Sequence, residues 1–199
     1  MIFFQHFPII HFDFGAISVL EGEVRARFIT RPLIITDTGL VEHGIADVVC
    51  FALSGISNLK IYDGIPTNPT VAGIEGAQNF YRDHDCNGII ALGGGSVLDS
   101  EKALRVAVRH SEPILEFLND PSKITPNVVP LITIPTTAGT GAEITFGGGI
   151  HPKPGKHQLG IRSPYVKPDV CHLGRSGPYF HPTACVDCRD RNGCVRSLH

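Results

Sequence analysis

Two short loops of the 199-residue chain combine residue types that could bind a phosphate-bearing ligand. The first is Gly93-Gly94-Gly95-Ser96, which follows an apolar run and precedes a segment with helical spacing. Glycines allow a tight turn and a close approach to a ligand, and the start of a helix offers free N–H groups and the positive end of the helix dipole. The loop therefore indicates a phosphate site. The alternative is a turn that merely ends a strand, because the loop has neither the G-x-G-x-x-G fingerprint nor a Walker sequence.

The second loop is Pro135-Thr136-Thr137-Ala138-Gly139-Thr140-Gly141-Ala142-Glu143, which follows a later apolar run. Its hydroxyls and glycines suit a polar ligand, because open parallel sheets bind ligands beyond the carboxyl ends of their strands. A plain threonine- and glycine-rich loop is the alternative if this segment is taken alone. If both loops lie at one edge of one sheet, they predict a nucleotide between them.

Three charged residues beside these loops have both a functional and a structural interpretation. Asp37 ends the first apolar run and could accept hydrogen bonds from a ribose, or it could cap a helix. Asp99 and Lys102 lie three residues apart in the segment after the glycine loop. They could form an ordinary pair on a helix surface, or they could hold the glycine loop against the sheet.

Apolar strands and amphipathic helices alternate over residues 17–169 and must position these loops. Short apolar runs predict strands at Pro32–Asp37, Leu59–Tyr62, Gly88–Leu92 and Val128–Ile134. Helical spacing predicts helices at Leu40–Leu53, Val71–Tyr81 and Ser96–Arg109. Strands that alternate with helices form crossover units, so we predict an α/β fold in which helices flank a parallel sheet, as in Rossmann-like nucleotide-binding domains.

The overall composition excludes several classes of protein. With 42% hydrophobic and 18% charged residues, the chain is too apolar for intrinsic disorder. Its 17 basic and 19 acidic residues argue against a nucleic-acid partner. The longest uncharged run, Ile124–Ala142, contains three prolines, so no transmembrane helix and no membrane partner are expected. The N-terminus has no basic start and carries Asp13, which predicts no signal peptide and a cytoplasmic location.

The two loops taken together resemble those of the iron-containing alcohol dehydrogenase family. The resemblance is carried by the pattern Gly93-Gly94-Gly95-Ser96-x-x-Asp99-x-x-Lys102 and by the loop from Pro135 to Glu143. Thr36-Asp37, Asn68-Pro69-Thr70 and Pro168-Asp169 add support. Each motif alone is modest, but the ordered set at these separations is highly specific.

The resemblance implies an N-terminal nucleotide domain of the dehydroquinate synthase type, followed by a helical domain that carries the metal. It implies hydride transfer between NAD or NADP and a small alcohol or aldehyde. The carboxylate of Asp37 favours NAD, because it would repel a 2′-phosphate. An enzyme of this kind also needs Fe²⁺ or Zn²⁺ as a Lewis acid. The oligomeric state is left open, with a homo-oligomer among the alternatives.

The resemblance also implies ten cofactor-binding residues in or beside these motifs, namely Asp37, Asn68, Gly94, Gly95, Ser96, Asp99, Thr136, Thr137, Thr140 and Lys156. The glycine loop would hold the pyrophosphate, and the threonine loop would line the cofactor cleft. Asp37 would meet the adenosine ribose, and Asn68 would lie on the adenine side. Lys156 is the candidate for a lysine that follows the threonine loop in such enzymes, at a longer spacing from Ser163-Pro164 than usual. No catalytic residue is assigned.

The last residues do not continue the family pattern. We expect a nucleotide-binding domain over residues 1–173 and an irregular tail over 174–199, where apolar periodicity stops. The resemblance implies a stretch Thr-Gly-x-Asp-Ala-x-x-His just after Leu173, whose Asp and His bind the metal, and this stretch is missing. A one-base shift of the possible codons restores it over Asp190–Ser197. The tail is therefore predicted to be out of frame, with Gly193 and Ser197 where the metal ligands belong.

The cysteines of the tail offer a competing interpretation. Cys185 and Cys188 have the Cys-x-x-Cys spacing of a zinc site, which Cys194 with His181 or His199 could complete. The second pair is irregular, and a shifted frame also explains why arginine becomes frequent, so we favour the shifted frame.

The sequence thus predicts an oxidoreductase of this family that lacks the metal site and has no turnover. One alternative is a nucleotide-binding module without catalysis. Another is a relative of glycerol dehydrogenase or dehydroquinate synthase, with different metal ligands or a different reaction.

Overall fold

A computed structural model describes residues 8–137, 139 and 141–174 of the chain. The strands in this part are β1 (Ile9–Asp13), β2 (Pro32–Ile35), β3 (Lys60–Tyr62), β4 (Gly88–Gly93), β5 (Leu131–Pro135), β6 (Gly147–Ile150), β7 (Leu159–Arg162) and β8 (Val170–Gly174). The α-helices are α1 (Leu20–Ala26), α2 (Thr38–Glu42), α3 (Ile45–Ala52), α4 (Val71–Asp83), α5 (Gly95–Ala107) and α6 (Ile114–Asn119). Short 3₁₀ helices cover Ala16–Val19, Pro121–Lys123 and Ala142–Ile144.

Six of the strands form one parallel sheet in the order β1-β8-β5-β4-β2-β3. Ile90 in the central strand β4 lies in register with Ile34 of β2 on one side and Ile132 of β5 on the other. All three side chains are fully buried. A parallel strand that is covered by helices on both faces buries every side chain, which is why these strands are continuous apolar runs in the sequence. The predicted α/β fold with a parallel sheet flanked by helices is confirmed.

Each face of the sheet has its own apolar core. Successive side chains of a strand point to opposite faces, so neighbouring residues of one strand enter different cores. On one face Ile34 packs in a cluster with Val49 of α3. On the other face Ile89 packs in a cluster with Leu104 of α5 and Phe117 of α6. Helices therefore cover both faces of the sheet, and each face has its own buried cluster.

The predicted helix Leu40–Leu53 is wrong as a single element. The chain forms α2 and α3 instead, and Gly44 between them has a left-handed φ of 73°. Glycine adopts this conformation at little cost. The helical spacing of apolar residues continues on both sides of Gly44, so the spacing does not reveal the break between α2 and α3. The predicted strand Val128–Ile134 begins later than expected, at Leu131.

The sequence pattern does not predict β1, β8 or the antiparallel hairpin formed by β6 and β7. β1 and β8 pair with each other at one end of the sheet. β6 consists of three glycines and one isoleucine, so no alternation of apolar and polar residues marks it.

The tail lies beyond the last described strand. Gly174 ends β8, and the rest of the predicted irregular tail lies outside the described residues. The predicted change of frame, with Gly193 and Ser197 at the ligand positions, lies outside them as well. Among the described residues, every helix is too short or too polar to span a bilayer.

Candidate functional site

The glycine loop makes a tight turn between β4 and α5. β4 ends at Gly93, α5 begins at Gly95, and Gly94 between them is extended. A Cβ atom at Gly94 would lie 3.2 Å from the hydroxyl oxygen of Thr137. A side chain at this position would therefore press against the hydroxyl of Thr137, whereas glycine leaves room for the threonine loop. The backbone N–H groups in the first turn of α5 have no hydrogen-bond partner within the helix, and they point to the same side as the threonine loop.

The threonine loop leaves the sheet directly beside the glycine loop. β5 neighbours β4, with Pro135 in register with Gly93. The backbone N–H of Thr136 donates a hydrogen bond of 3.0 Å to the carbonyl oxygen of Gly93. Thr136 is half-buried and Thr137 is exposed. The two loops thus meet at one edge of the sheet, as the sequence predicts, whereas Thr140 lies outside the described residues.

A third segment, the turn that precedes α4, joins the glycine loop. The hydroxyl of Ser96 donates a hydrogen bond to the carbonyl oxygen of Thr67. Asn68 follows Thr67 and is exposed. A cavity of about 380 Å³ opens at this junction. It is lined by Pro69, Gly95, Ser96, Asp99, Ala142, Thr145, Gly147 and Gly148.

Asp99 and Lys102 hold the β6–β7 hairpin against α5. The buried ammonium group of Lys102 donates hydrogen bonds of 2.9 Å to the hydroxyl of Thr145 and 2.7 Å to the carbonyl oxygen of Gly147. A carboxylate oxygen of Asp99 accepts a 3.0 Å hydrogen bond from the N–H of Gly149. Burial raises the pKa of Asp99 and lowers the pKa of Lys102. The two residues are therefore more than an ordinary surface pair, and the segment that they secure is the hairpin rather than the glycine loop.

Asp37 caps a helix, which is the structural alternative that the sequence left open for this residue. It lies beyond the end of β2 and caps α2, because Oδ1 accepts a 3.1 Å hydrogen bond from the N–H of Leu40. The residue is half-buried at the carboxyl end of β2, the strand next to β4. Asp37 thus lies at the same edge of the sheet as the two loops.

Lys156 does not line the cavity. It is exposed in the connection between β6 and β7, and its carbonyl oxygen accepts a 2.8 Å hydrogen bond from Nδ1 of His151. The base of this connection is attached to the start of α4, because the N–H of Val71 donates to the carbonyl oxygen of His151. The structure therefore gathers the glycine loop, Asp99 and the first two threonines, and leaves Lys156 at the tip of the hairpin.

Sequence reasoning gave no role to the residues that form the far wall of the cavity. Thr145, Gly147 and Gly148 belong to or precede β6. A Cβ atom at Gly148 would lie 3.0 Å from the Cα atom of Asp99, so the hairpin approaches α5 closely only because glycine stands there. The run of three glycines from Gly147 to Gly149 was the available signal.

Glu101 is a further buried charge in α5 that no motif indicated. Its side chain is fully buried, and within the described part of the chain neither carboxyl oxygen has a hydrogen-bond partner. Burial raises its pKa well above the ordinary value, although the nearby positive charges of Lys102 and Arg105 act in the opposite direction. Burial thus favours the protonated, uncharged form of the Glu101 carboxyl.

A metal site is not found within residues 8–137, 139 and 141–174. These residues contain no group of three or more His, Cys, Asp or Glu side chains that could bind a metal ion. Among these residues, Cys50, Cys86 and Cys171 form no disulfide bond with one another. The cysteines of the competing zinc site lie outside the described residues.

Comparison with known proteins agrees with this geometry. The family model for iron-containing alcohol dehydrogenases matches residues 8–173. The chain is 36% identical over 171 residues to 4-hydroxybutyrate dehydrogenase of Cupriavidus necator, which covers 84% of this chain and 44% of the relative. It is 31% identical over 167 residues to lactaldehyde reductase of Escherichia coli strain K12, which covers 81% of this chain and 43% of the relative. The chain thus spans less than half the length of these relatives.

Solved structures show the same fold. The crystal structure of 1,3-propanediol oxidoreductase matches with a TM-score of 0.81 and 26% identity, over 87% of this chain and 46% of that one. Sulfoacetaldehyde reductase from Bifidobacterium kashiwanohense, solved in complex with NAD⁺, matches with a TM-score of 0.79 and 23% identity over the same shares. Taken with the two loops at one edge of the sheet, these matches show that the chain belongs to the iron-containing alcohol dehydrogenase family.

Proposed function

We propose that this chain binds NAD or NADP at the junction of the two loops, as the cofactor-binding part of an alcohol or aldehyde oxidoreductase. One observation carries the proposal. Gly94 and Thr137 approach so closely that a Cβ atom at Gly94 would lie 3.2 Å from the threonine hydroxyl. A pyrophosphate beside the start of α5 would meet backbone N–H groups on one side and threonine hydroxyls on the other.

The residues present fit a dinucleotide. Gly94, Gly95 and Ser96 would hold the pyrophosphate through the N–H groups of the first turn of α5, whose dipole favours negative charge. Thr136 and Thr137 would line the cleft, together with Thr140. The bound nucleotide would supply the hydride acceptor or donor for a small alcohol or aldehyde.

The outer residues of the proposed site would bind the adenosine half or close the cleft. Asp37 would accept hydrogen bonds from the ribose hydroxyls with the carboxylate oxygen that does not cap α2. Asn68 would lie near adenine, in the segment that Ser96 secures. Asp99 would fix the hairpin that forms the far wall of the cavity. Lys156 would reach the cofactor only if the hairpin tip moves toward the cleft.

A resident Fe²⁺ or Zn²⁺ does not fit the described residues, because they provide no set of three ligands. We therefore propose that the chain binds the nucleotide and has no turnover of its own. The predicted cytoplasmic location and the absence of nucleic-acid and membrane partners stay predictions.

Calorimetric titration of the 199-residue chain with NAD⁺ and NADP⁺ tests the proposal. We expect NAD⁺ to bind more tightly than NADP⁺, and Gly94→Val to weaken NAD⁺ binding by at least about tenfold because its side chain occupies the space beside Thr137. Gly22→Ala is the matched control, since nothing lies within 4 Å of a Cβ atom at Gly22 in α1. A folded wild-type chain that binds neither nucleotide contradicts the proposal.

A dehydrogenase assay separates the catalytic alternatives. The chain should not oxidise small alcohols or reduce aldehydes when Fe²⁺ or Zn²⁺ is added, because the described residues hold no metal site. Turnover that depends on the added metal would show that the tail supplies ligands after all. Binding without turnover supports the nucleotide-binding module, and turnover with glycerol alone favours the glycerol dehydrogenase-like alternative.

A further inference from the structure

Glu101 places a carboxyl group inside the protein, in the middle of α5. Its side chain is fully buried, and within the described part of the chain neither oxygen has a hydrogen-bond partner. A buried polar group without a partner costs free energy, and the cost is much larger for its charged form. A negative charge on Glu101 would therefore strongly favour a rearrangement of the groups around it.

One thiol and four charged groups surround this carboxyl in the part of the chain that the structure describes. The charged groups lie on α5 and on the 3₁₀ helix that packs against it: Asp99, Lys102, Arg105 and Glu143. Cys171 of β8 also faces Glu101, and burial keeps this thiol uncharged because it raises the pKa to about 12. The strands that pack against α5, namely β4, β5 and β6, have no titratable side chain. The positive groups that could stabilise a charge on Glu101 are thus Lys102 and Arg105.

Arg105 is fully engaged with other partners. Its guanidinium group donates hydrogen bonds to the carbonyl oxygens of Val129 and Lys167. Nη2 also donates to both carboxylate oxygens of Asp169, at 2.8 and 3.0 Å. Arg105 could not turn toward Glu101 without breaking these bonds, which attach α5 to the segments that precede β5 and β8.

Lys102 is the cation that can respond to Glu101. Its ammonium group has three N–H donors, and two of them bind the hydroxyl of Thr145 and the carbonyl oxygen of Gly147. Burial lowers the pKa of Lys102, and among the charges that raise it Glu101 acts most strongly. A negative charge on Glu101 would therefore compete with the β6–β7 hairpin for Lys102.

We propose that Glu101 is a proton-controlled switch for the β6–β7 hairpin. When its carboxyl is uncharged, Lys102 stays bound to Thr145 and Gly147 and fixes the far wall of the cavity. When the carboxyl loses its proton, it attracts Lys102 away from these acceptors and repels Glu143. Because Thr145 and Gly147 line the cavity, the cavity wall loosens as the pH rises.

Nucleotide binding follows the same proton if the nucleotide lies in this cavity, and this consequence rests on the function proposed above. A fixed hairpin favours both the bound nucleotide and the uncharged form of Glu101, so binding takes up protons and the affinity falls as the pH rises. The negative charge of the pyrophosphate acts in the same direction, because it also disfavours a charged Glu101. The switch of the hairpin itself needs no nucleotide.

Hydrogen exchange of the hairpin amides without nucleotide tests the switch. Wild type and Glu101→Gln are compared at each pH from 5.5 to 9, so that the intrinsic exchange rates of the same amides cancel. The amides of Gly147–Ile150 should exchange at equal rates at pH 5.5, and at least about fivefold faster in the wild type at pH 9. Glu101→Met should behave as Glu101→Gln does. Glu112→Gln, at an exposed position, is the matched control and should follow the wild type.

Lys102→Met tests the route by which the charge reaches the hairpin. Without the ammonium group the hairpin has no charged donor to lose, so its amides should exchange rapidly at every pH. Adding Glu101→Gln to this variant should then change nothing. A pH response of the hairpin that persists in Lys102→Met and disappears in the double variant would overturn the proposal, because Glu101 would act without Lys102.

Calorimetric titration with NAD⁺ extends the test to the nucleotide. Between pH 5.5 and 9 the dissociation constant of the wild type should rise at least about fivefold relative to that of Glu101→Gln. Hairpin amides that exchange equally in the two proteins over this range overturn the switch, whether or not NAD⁺ binds. A hairpin that responds to pH in a chain without nucleotide binding supports the switch and contradicts the proposed function instead. A hairpin response with equal affinities in the two proteins overturns the link between the switch and the nucleotide.

Discussion

The ammonium group of Lys102 joins α5 to the β6–β7 hairpin, because Nζ lies 2.7 Å from the carbonyl oxygen of Gly147. The same group donates to the hydroxyl of Thr145 at 2.9 Å, so one buried cation secures both sides of the turn into β6. These two residues form part of the wall of the cavity beside the glycine loop. Lys102 therefore sets the position of that wall without lining the cavity itself.

Replacing Lys102 with methionine should reduce the free energy of unfolding by about 2–3 kcal/mol. The variant keeps the length of the side chain but leaves the Gly147 carbonyl without its charged donor. Urea unfolding followed by circular dichroism measures the change. Lys123→Met is the matched control, because the ion pair between Lys123 and Glu116 is exposed and should contribute much less to stability. Equal losses in the two variants would contradict the role given to Lys102.

The buried carboxyl of Glu101 should make the protein less stable as the pH rises. Burial raises the pKa of Glu101 in the folded state above the value of 4.5 that applies when the chain is unfolded. The folded state therefore keeps a proton that the unfolded state releases, and stability falls from about pH 4.5 upward until the folded pKa is passed. Glu101→Met removes this dependence and should stabilise the fold at pH 7 by about 1–3 kcal/mol.

Chemical denaturation of wild type and Glu101→Met at several pH values gives the measurement. The difference between the two free energies of unfolding should grow from pH 5 to pH 8. Curves that stay parallel across this range would show that Glu101 is ionised in the folded state with a partner. Glu112→Met is the matched control, because the Glu112 side chain is exposed and should contribute little.

His172 should make the protein less stable as the pH falls. Its ring is buried, Nδ1 donates a 3.1 Å hydrogen bond to the carbonyl oxygen of Ala16, and burial lowers its pKa to about 4. In the unfolded chain the imidazole of His172 binds a proton near pH 6.5, whereas the buried ring of the folded state stays neutral until the pH is lower. The free energy of unfolding therefore decreases as the pH falls from about 6.5 to 4. The full loss is about 3 kcal/mol.

The replacement His172→Gln should remove this loss of stability at acidic pH. The glutamine amide can donate a hydrogen bond to the carbonyl oxygen of Ala16, and it does not titrate. Thermal unfolding at pH 4.5, 5.5 and 6.5 checks it. A wild-type melting temperature that does not change between pH 6.5 and 4.5 relative to the variant would contradict the prediction. His43→Gln serves as the control, because His43 is exposed and its replacement should leave the loss of stability at acidic pH unchanged.

The central part of the fold could be predicted because its physical signals are local. Strands buried on both faces are apolar runs, and Gly88–Leu92 differs from the observed β4 by a single residue. The glycine loop and the threonine loop follow such runs directly, so their shared position followed from the parallel arrangement alone.

The remaining elements depend on contacts that no local pattern contains. β6 is three glycines and an isoleucine; it pairs with β7, and Asp99 and Lys102 of α5 bind its backbone. Helix α2 ends before α3 because the chain turns at Gly44 with a left-handed backbone. Glu101 is fully buried in α5, although charged residues are rarely buried, so its burial could not be predicted from the residue type.

The two roles proposed for Asp37 can be separated by one pair of variants. Asp37→Asn keeps an oxygen that can accept from the N–H of Leu40, so α2 should stay capped and the melting temperature should change little. The variant removes the negative charge that would repel a 2′-phosphate, so the preference for NAD⁺ over NADP⁺ should fall by at least about tenfold in calorimetric titration. Asp37→Ala loses the cap as well and should destabilise the fold by about 1 kcal/mol. If Asp37→Asn leaves the ratio of the two affinities unchanged while both nucleotides still bind, Asp37 is a helix cap only, and the ribose must be bound elsewhere along this edge of the sheet.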